Sequence, residues 1–397
     1  MSFAVFSPMR GSRNIARKHR PRCDSLERSP SPDRIASDMI GPSRVLLGGS
    51  AIYADILLLV VSLLVVLAAS IIFTNAVEML GHRMKLHQGA VGSLLAAVGT
   101  AMPETIIPVI AILGFSGETA NDLALGAIAG APFMLATAAF FVTGVGVFAS
   151  AALRRRGREM RVDTRILARD LTFFLSTYAV AVLTTFLPQV LGWAGDGVVL
   201  AGRIVVAVGL LLAYALYVRL TLSGRAEQTE CNESLYLARL FKSGQMTFLS
   251  VLQFAIALAI MIYGAHLFVK CARDVSLTAG VSPLVLALII APIATELPEK
   301  FNSVVWVSQG KDTLAMGNIT GAMVFQSCIP VAIGMVGTPW NLLDDGGVTL
   351  VSAGLALISG AIAVFWLRIK KTLNPNILMI GGLLYCVFVA FVLWGRR

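Results

Sequence analysis

Two octapeptides carry the residue types able to do chemistry: "VGTAMPET" at 98–105 and "IATELPEK" at 293–300. Thr100, Pro103 and Glu104 in the first recur as Thr295, Pro298 and Glu299 in the second, each pair 195 positions apart. Both lie within long apolar runs. A proline inside a helix has no N–H for the carbonyl four residues back, and its ring crowds that turn. Pro103 is therefore expected to release the Gly99 carbonyl, and Pro298 that of Ala294, beside a threonine and one residue before a carboxylate. Irregular backbone at membrane depth is tolerated only where it is buried in protein or lines a cavity. Two such kinks brought face to face make an oxygen-rich cage from Glu104, Glu299 and the Thr100 and Thr295 carbonyls. Oxygen ligands select hard cations, and calcium takes ~6–8 of them in a flexible shell. No thiolate or imidazole is close in sequence, which argues against zinc, copper and iron.

Charge then suggests a cycle. Two carboxylates at the bilayer centre cost several kcal/mol at least unless neutralised. One calcium, two sodium ions or two protons would each do so, and an empty site would be expensive to carry through an occluded state. That expense couples the departure of one cation to the arrival of another. The structural alternative is that Glu104 and Glu299 only hydrogen-bond neighbouring helices. Their recurrence at matched prolines weighs against it.

Such a cage needs long apolar helices around it, and the composition supplies them. Of 397 residues, 57% are hydrophobic and 14% charged, with a mean hydropathy of +0.80. This excludes an ordinary soluble domain. A net charge of +10 would suggest nucleic acid in a soluble protein; here it serves membrane orientation, and no nucleic-acid partner is expected. A spanning helix needs roughly 20 mostly apolar residues. Ten candidate spans cover 53–78, 88–113, 121–148, 170–191, 197–220, 245–270, 279–309, 313–335, 348–367 and 374–394. Each T-x-x-P-E lies in the second helix of a five-helix half. "LGAIAG" (125–130) and "MGNITG" (316–321) lie in the third, where Gly126/Gly130 and Gly317/Gly321 allow close packing. An odd number of spans per half inverts the second half. The expected fold is an all-α polytopic membrane protein with about ten transmembrane helices in two inverted-topology five-helix repeats. The domain plan is a disordered basic tail (1–50), a first repeat (51–220), a cytoplasmic linker (221–244) and a second repeat (245–397).

The remaining residues add little chemistry. Cys23, Cys231, Cys271, Cys328 and Cys386 match no metal or redox spacing and read as small packing residues. His19, His82, His87 and His266 form no zinc pattern. The tail has no compact apolar core leading to a small-residue cleavage site, so it reads as a poor signal peptide. An intramembrane enzyme is the alternative class. It lacks H-E-x-x-H, and the paired Asp344 and Asp345 of "LLDDGG" read as a solvated turn. No cofactor and no catalytic residue is expected.

The two kinks, with "GNITGAMVFQS" from 317, resemble the cation/calcium exchanger superfamily and its sodium–calcium exchanger family of prokaryotic type. That family carries inverted repeats with G-T-S-x-P-E and a downstream G-N-x-x-G-S-N. The resemblance runs from about 53 to 394. It implies that Thr100, Glu104, Thr295 and Glu299 correspond to central cation ligands. It adds Asn318, and Gln326 at a place where the family often has an acid or amide. It also implies alternating access, with the first and sixth helices moving across the second, third, seventh and eighth. Departures are Ala101 and Glu296 at the serine position, and Ala127, Ala131 and Leu135 where polar residues are common. The calcium-type centre is kept while accessory sodium positions are depleted, which leaves sodium or protons open as counter-ion. Glu296 shares a helical face with Glu299 and precedes Lys300 by four residues. A third ligand, a proton acceptor and an ion-pair partner of Lys300 are its three readings. The implied function is exchange of calcium or a related cation for sodium or protons. The implied partners are inorganic cations and lipid, in the plasma (inner) membrane of a prokaryote.

Lysine and arginine total 17 in the odd-numbered loops and five in the even loops and C-terminus. The positive-inside bias places the odd loops in the cytoplasm. A reporter fused after Arg397 is expected to read as non-cytoplasmic; a cytoplasmic signal would overturn this topology.

Overall fold

A helix with apolar residues on every side is stable only within protein or lipid. The first helix shows the pattern: Leu59, Leu63 and Val66 are buried, while Leu57, Leu64 and Ile71 are exposed on its outer side. The computed structural model describes residues 48–83, 101–153, 157–223, 235–236 and 246–394. The helices in those residues are α1 (Gly48–Arg83), α2 (Met102–Gly114), α3 (Glu118–Ala152), α4 (Thr164–Leu191) and α5 (Asp196–Ser223), followed by α6 (Met246–Ala279), α7 (283–308), α8 (Asp312–Gly337), α9 (Asp344–Lys370) and α10 (Pro375–Trp394). The described residues contain no strand, only an isolated bridge between Met160 and Leu373. The fold is an all-helical polytopic membrane architecture. Of the basic tail and the 221–244 linker, most residues lie outside those described.

Eight of these helices are long and apolar enough to cross a membrane. The two others, α2 and α7, carry the repeated acidic motif. The described part of α2, 13 residues, is about 20 Å long, short of the ~30 Å hydrocarbon core. Residues 84–100, expected to complete it, lie outside those described. In α7 a short segment, Pro283–Val285, leads into a π turn, Leu286–Ile290, and then an α-helix, Ala291–Ser308. The irregularity therefore precedes Pro298 rather than sitting at it. Pro292 has no N–H for the Leu288 carbonyl, and the wider π turn absorbs the break. Pro103 occupies the first turn of α2, where an N–H would have no helical partner anyway.

Two helices form the centre. The spans of α3 and α8 are 83% and 78% buried, against 17% for α5 at the rim. Gly126 and Gly130 bring α3 onto α7 backbone to backbone. A Cβ at either would lie 2.4 Å from a carbonyl oxygen, that of Leu284 or Leu288. The second glycine pair differs: a Cβ at Gly317 meets nothing within 4 Å, and one at Gly321 meets only the Tyr217 hydroxyl at 3.7 Å. The packing scheme recurs five helices on. α2 packs on α3 as α7 does on α8; α3 meets α9 and α10 as α8 meets α4 and α5.

Among the described residues, connections of like parity meet. The 3–4, 7–8 and 9–10 connections meet at one end through the Met160–Leu373 bridge and the Arg161 N–H, which donates to Asp312 Oδ2 at 2.7 Å. At the other end the last turns of α4 meet the 8–9 connection, where the Leu342 N–H donates to Thr185 Oγ1 at 2.9 Å. Two sequence expectations shift. α4 starts at Thr164 rather than 170, because the Asp163 side chain caps it by accepting from the Arg165 and Ile166 N–H groups. Asp344, read as a loop residue, opens α9.

Candidate cation site

Glu104 sits in the first turn of α2 and is 4% exposed. The helix dipole favours negative charge at that position. Pro108, four residues on, has no N–H to give to the Glu104 carbonyl, so this residue brings a backbone oxygen as well as a carboxylate. The Thr105 hydroxyl donates to the Ala101 carbonyl at 3.3 Å. α2 packs against α3, α6, α7 and α8. Thr100 lies outside the described residues.

On α7, Thr295 is buried and its hydroxyl donates to the Ala291 carbonyl at 3.0 Å. The hydroxyl is thus committed within its own helix. Glu296 is 2% exposed, and its Oε1 accepts a hydrogen bond from Gln326 Nε2 on α8. Gln326 is fully buried, and its Oε1 has no hydrogen-bond partner among the described residues. Pro330 lies in the same helix and has no N–H for the Gln326 carbonyl. The Gln326 amide therefore lies beside a carboxylate, and its backbone carbonyl lacks the usual donor four residues on. Asn318 is half-buried on α8. Glu299 falls in α7, three residues after Glu296 and on roughly the same face; its side chain and that of Lys300 lie outside the described set. Of the expected site residues, Glu296 and Gln326 are the pair joined by a hydrogen bond. Among the described residues no three His, Cys, Asp or Glu side chains cluster closely enough to hold a metal.

Sequence reasoning missed several of these features. Pro108 and Pro330 were visible as prolines four residues after Glu104 and Gln326, a signal available to anyone counting back from them. Asn75 ties α1 to α6: Gln253 Nε2 donates to Asn75 Oδ1 at 3.0 Å and to the Ile72 carbonyl at 2.9 Å. The Tyr236 N–H also reaches Asn75 Oδ1, at 3.1 Å. Cys271 and Cys328 are buried thiols, as their packing role implied, whereas Cys386 is exposed.

A family model for the sodium/calcium exchanger protein matches residues 54–222 and 249–394. The chain belongs to the sodium/calcium exchanger family. It is a family of exchangers, not of enzymes. The inner membrane protein YrbG of Escherichia coli (strain K12) is 25% identical over 344 residues, covering 85% of this chain and 96% of that protein. Among solved structures, the H+/Ca2+ exchanger CAX superposes with a TM-score of 0.65 at 18% identity, covering 85% of this chain and 82% of CAX. The sodium–calcium exchanger NCX_Mj gives 0.51 at 17% identity, covering 85% and 99%. Both likenesses extend over the helical bundle and establish a shared fold.

The Glu296–Gln326 bond has a direct check. Gln326→Leu removes the donor and should lower the unfolding free energy of the detergent-solubilised exchanger by roughly 1.5–3 kcal/mol. The exchanged pair, Glu296→Gln with Gln326→Glu, should regain most of it. A double variant as unstable as the single one would contradict the pairing.

Proposed function

We propose that this exchanger is a secondary antiporter that trades calcium, or a related cation, for sodium or protons by alternating access. The observation that supports it best is the burial of Glu104 and Glu296 on α2 and α7, the helices whose regular course is short or broken. Buried acids on irregular helices inside a membrane protein are costly to retain without a task. In this reading Glu104 and Glu299 are the shared carboxylates, and the Thr100 and Thr295 backbone oxygens join them. Gln326 contributes through its amide oxygen and the carbonyl that Pro330 cannot engage, and Asn318 lines the approach. Water completes the shell of a calcium ion.

Residues 51–220 and 245–397 act as two inverted repeats, joined by the 221–244 linker and preceded by a basic tail at 1–50. The recurring packing scheme and the meeting of like-parity connections among the described residues support this. The loop distribution of arginine and lysine favours odd loops in the cytoplasm, and the similarity to the inner membrane protein YrbG favours residence in the inner membrane of a prokaryote. The buried seam between α1/α6 and the centre is apolar, with Ala69, Ala265, Ala272, Ala124 and Ala287 among larger side chains such as Leu63, Val66, Phe73 and Phe268. Apolar contacts have no directional preference, which suits a helix pair that shifts across the rest.

A second reading within transport is exchange driven by protons alone. Glu296 favours it, being a further buried carboxylate held by an amide, and so does the apolar character of Ala127, Ala131 and Leu135 on α3.

Reconstituted vesicles test both. Calcium uptake should follow an imposed sodium gradient or an imposed pH gradient, and the gradient that works names the counter-ion. Glu104→Gln and Glu299→Gln should each abolish uptake in protein that still elutes as folded, whereas Glu296→Gln should shift ion preference or pH dependence. Wild-type exchange in either of the first two variants, or no cation flux under any gradient, would refute the assignment.

A further inference from the structure

α4 and α8 are joined by polar rungs at a fixed register. The Asp163 N–H donates to Thr313 Oγ1, the Thr320 hydroxyl donates to Asp170 Oδ2, and the Thr177 and Ser327 hydroxyls bond to each other, all at 2.9 Å. In each rung the partners are 150 residues apart. A constant separation means that the two helices run in the same direction. A step of seven residues returns to nearly the same face every two turns, as in a coiled-coil seam.

The middle rung is the most elaborate. Asp170 is 2% exposed, and its Oδ1 accepts from Arg169 Nε at 3.1 Å and Nη2 at 2.9 Å. The Tyr217 side chain of α5 lies beside it. The Arg169 guanidinium lies 5.3 Å from the centre of the Tyr217 ring, within cation–π range. Arg169 supplies the counter-charge of Asp170, so the cluster is a joint between three helices and not a second ion site.

Among the described residues, α3 of the first half is joined to α9 instead by the Ser359 hydroxyl, which donates to the Ala136 carbonyl. There α3 is pressed onto α7 by Gly126 and Gly130, whereas a Cβ at Gly317 of α8 would meet nothing. The rung residues on α8 are also close neighbours of proposed ligands: Thr320 is two residues from Asn318, and Ser327 is next to Gln326. Each residue turns a helix by about 100°, so a bond that fixes the azimuth of Ser327 also fixes that of Gln326.

We propose that the Asp170–Thr320 and Thr177–Ser327 rungs are positioning residues that set the rotation of α8 and thereby aim Gln326 at Glu296. This rests on the reading of α8 as a cation-site helix. The test uses the full chain with Cys23, Cys231, Cys271 and Cys386 changed to serine. That leaves Cys328, which is fully buried on α8, as the one thiol. Thr320→Val and Thr177→Val keep side-chain shape but lose the hydroxyl. In purified protein each should raise the rate of maleimide labelling of Cys328 at least about fivefold. In vesicles each should raise the half-saturating calcium concentration about three- to tenfold, with maximal flux within about twofold, the loss expected of one or so kcal/mol. Thr320→Ser and Thr177→Ser, which restore the hydroxyl, should return both readouts to the parent values. Unchanged labelling, or a change that serine does not reverse, overturns the proposal. So does lowered maximal flux at unchanged half-saturation. Absence of flux in the parent protein would instead defeat the antiport reading, and the labelling alone would then decide whether the rungs set the rotation of α8.

Discussion

A carboxylate taken out of water must be neutralised or hydrogen-bonded, because its desolvation costs several kcal/mol even in a relaxed protein interior. Glu104 and Glu296 are 4% and 2% exposed, inside a bundle whose outer surface is studded with leucine, valine and isoleucine. Much of the surrounding architecture can be understood as meeting that demand. Glu104 is placed in the first turn of a short helix, where the dipole is favourable. Glu296 receives an amide N–H from a neighbouring central helix. Prolines at 108 and 330 leave the carbonyls of Glu104 and Gln326 without a helical donor, adding oxygens where a cation would want them. A positive ion completes the arrangement in the proposed mechanism, and its exchange for other positive ions follows from the cost of leaving the acids bare.

The two halves share a packing scheme but hold their central helices by different means. α3 relies on glycine, so that backbone meets backbone at α7 and no side chain intervenes. α8 relies on hydroxyls and one buried aspartate against α4. The difference follows the sequences: the first downstream segment is apolar at 127, 131 and 135, and the second keeps threonine, glutamine and serine at 320, 326 and 327. Polar rungs carry a directional preference that apolar contacts lack. They suit a helix that must present particular atoms, whereas glycine contacts suit a wall.

Most of the fold was legible because long apolar runs have few alternatives in water. The runs at 197–220 and 374–394 became Asp196–Ser223 and Pro375–Trp394 with small changes. The run at 170–191 lost its first turn, because a hydropathy reading treats "DTRILARD" as loop. A capping aspartate and an Arg169–Asp170 pair make that stretch helical and bury its acid. The acidic motifs were legible by recurrence alone. The Glu296–Gln326 bond was not: its partners are 30 residues apart on different helices, and only the packing of α7 on α8 brings them together. The π turn in α7 was likewise hidden, since three prolines in one run announce a break without saying which turn will take it.

The central claim is that one cation is shared between the acidic side chains of α2 and α7. Its most direct test is diffraction from crystals grown with calcium, at a wavelength where the ion's anomalous signal is measurable. The account predicts a single peak between these helices, with Glu104 and an α7 glutamate among oxygens at about 2.3–2.6 Å. A peak bound elsewhere, or calcium-saturated crystals in which Glu104 keeps only protein partners, would contradict it.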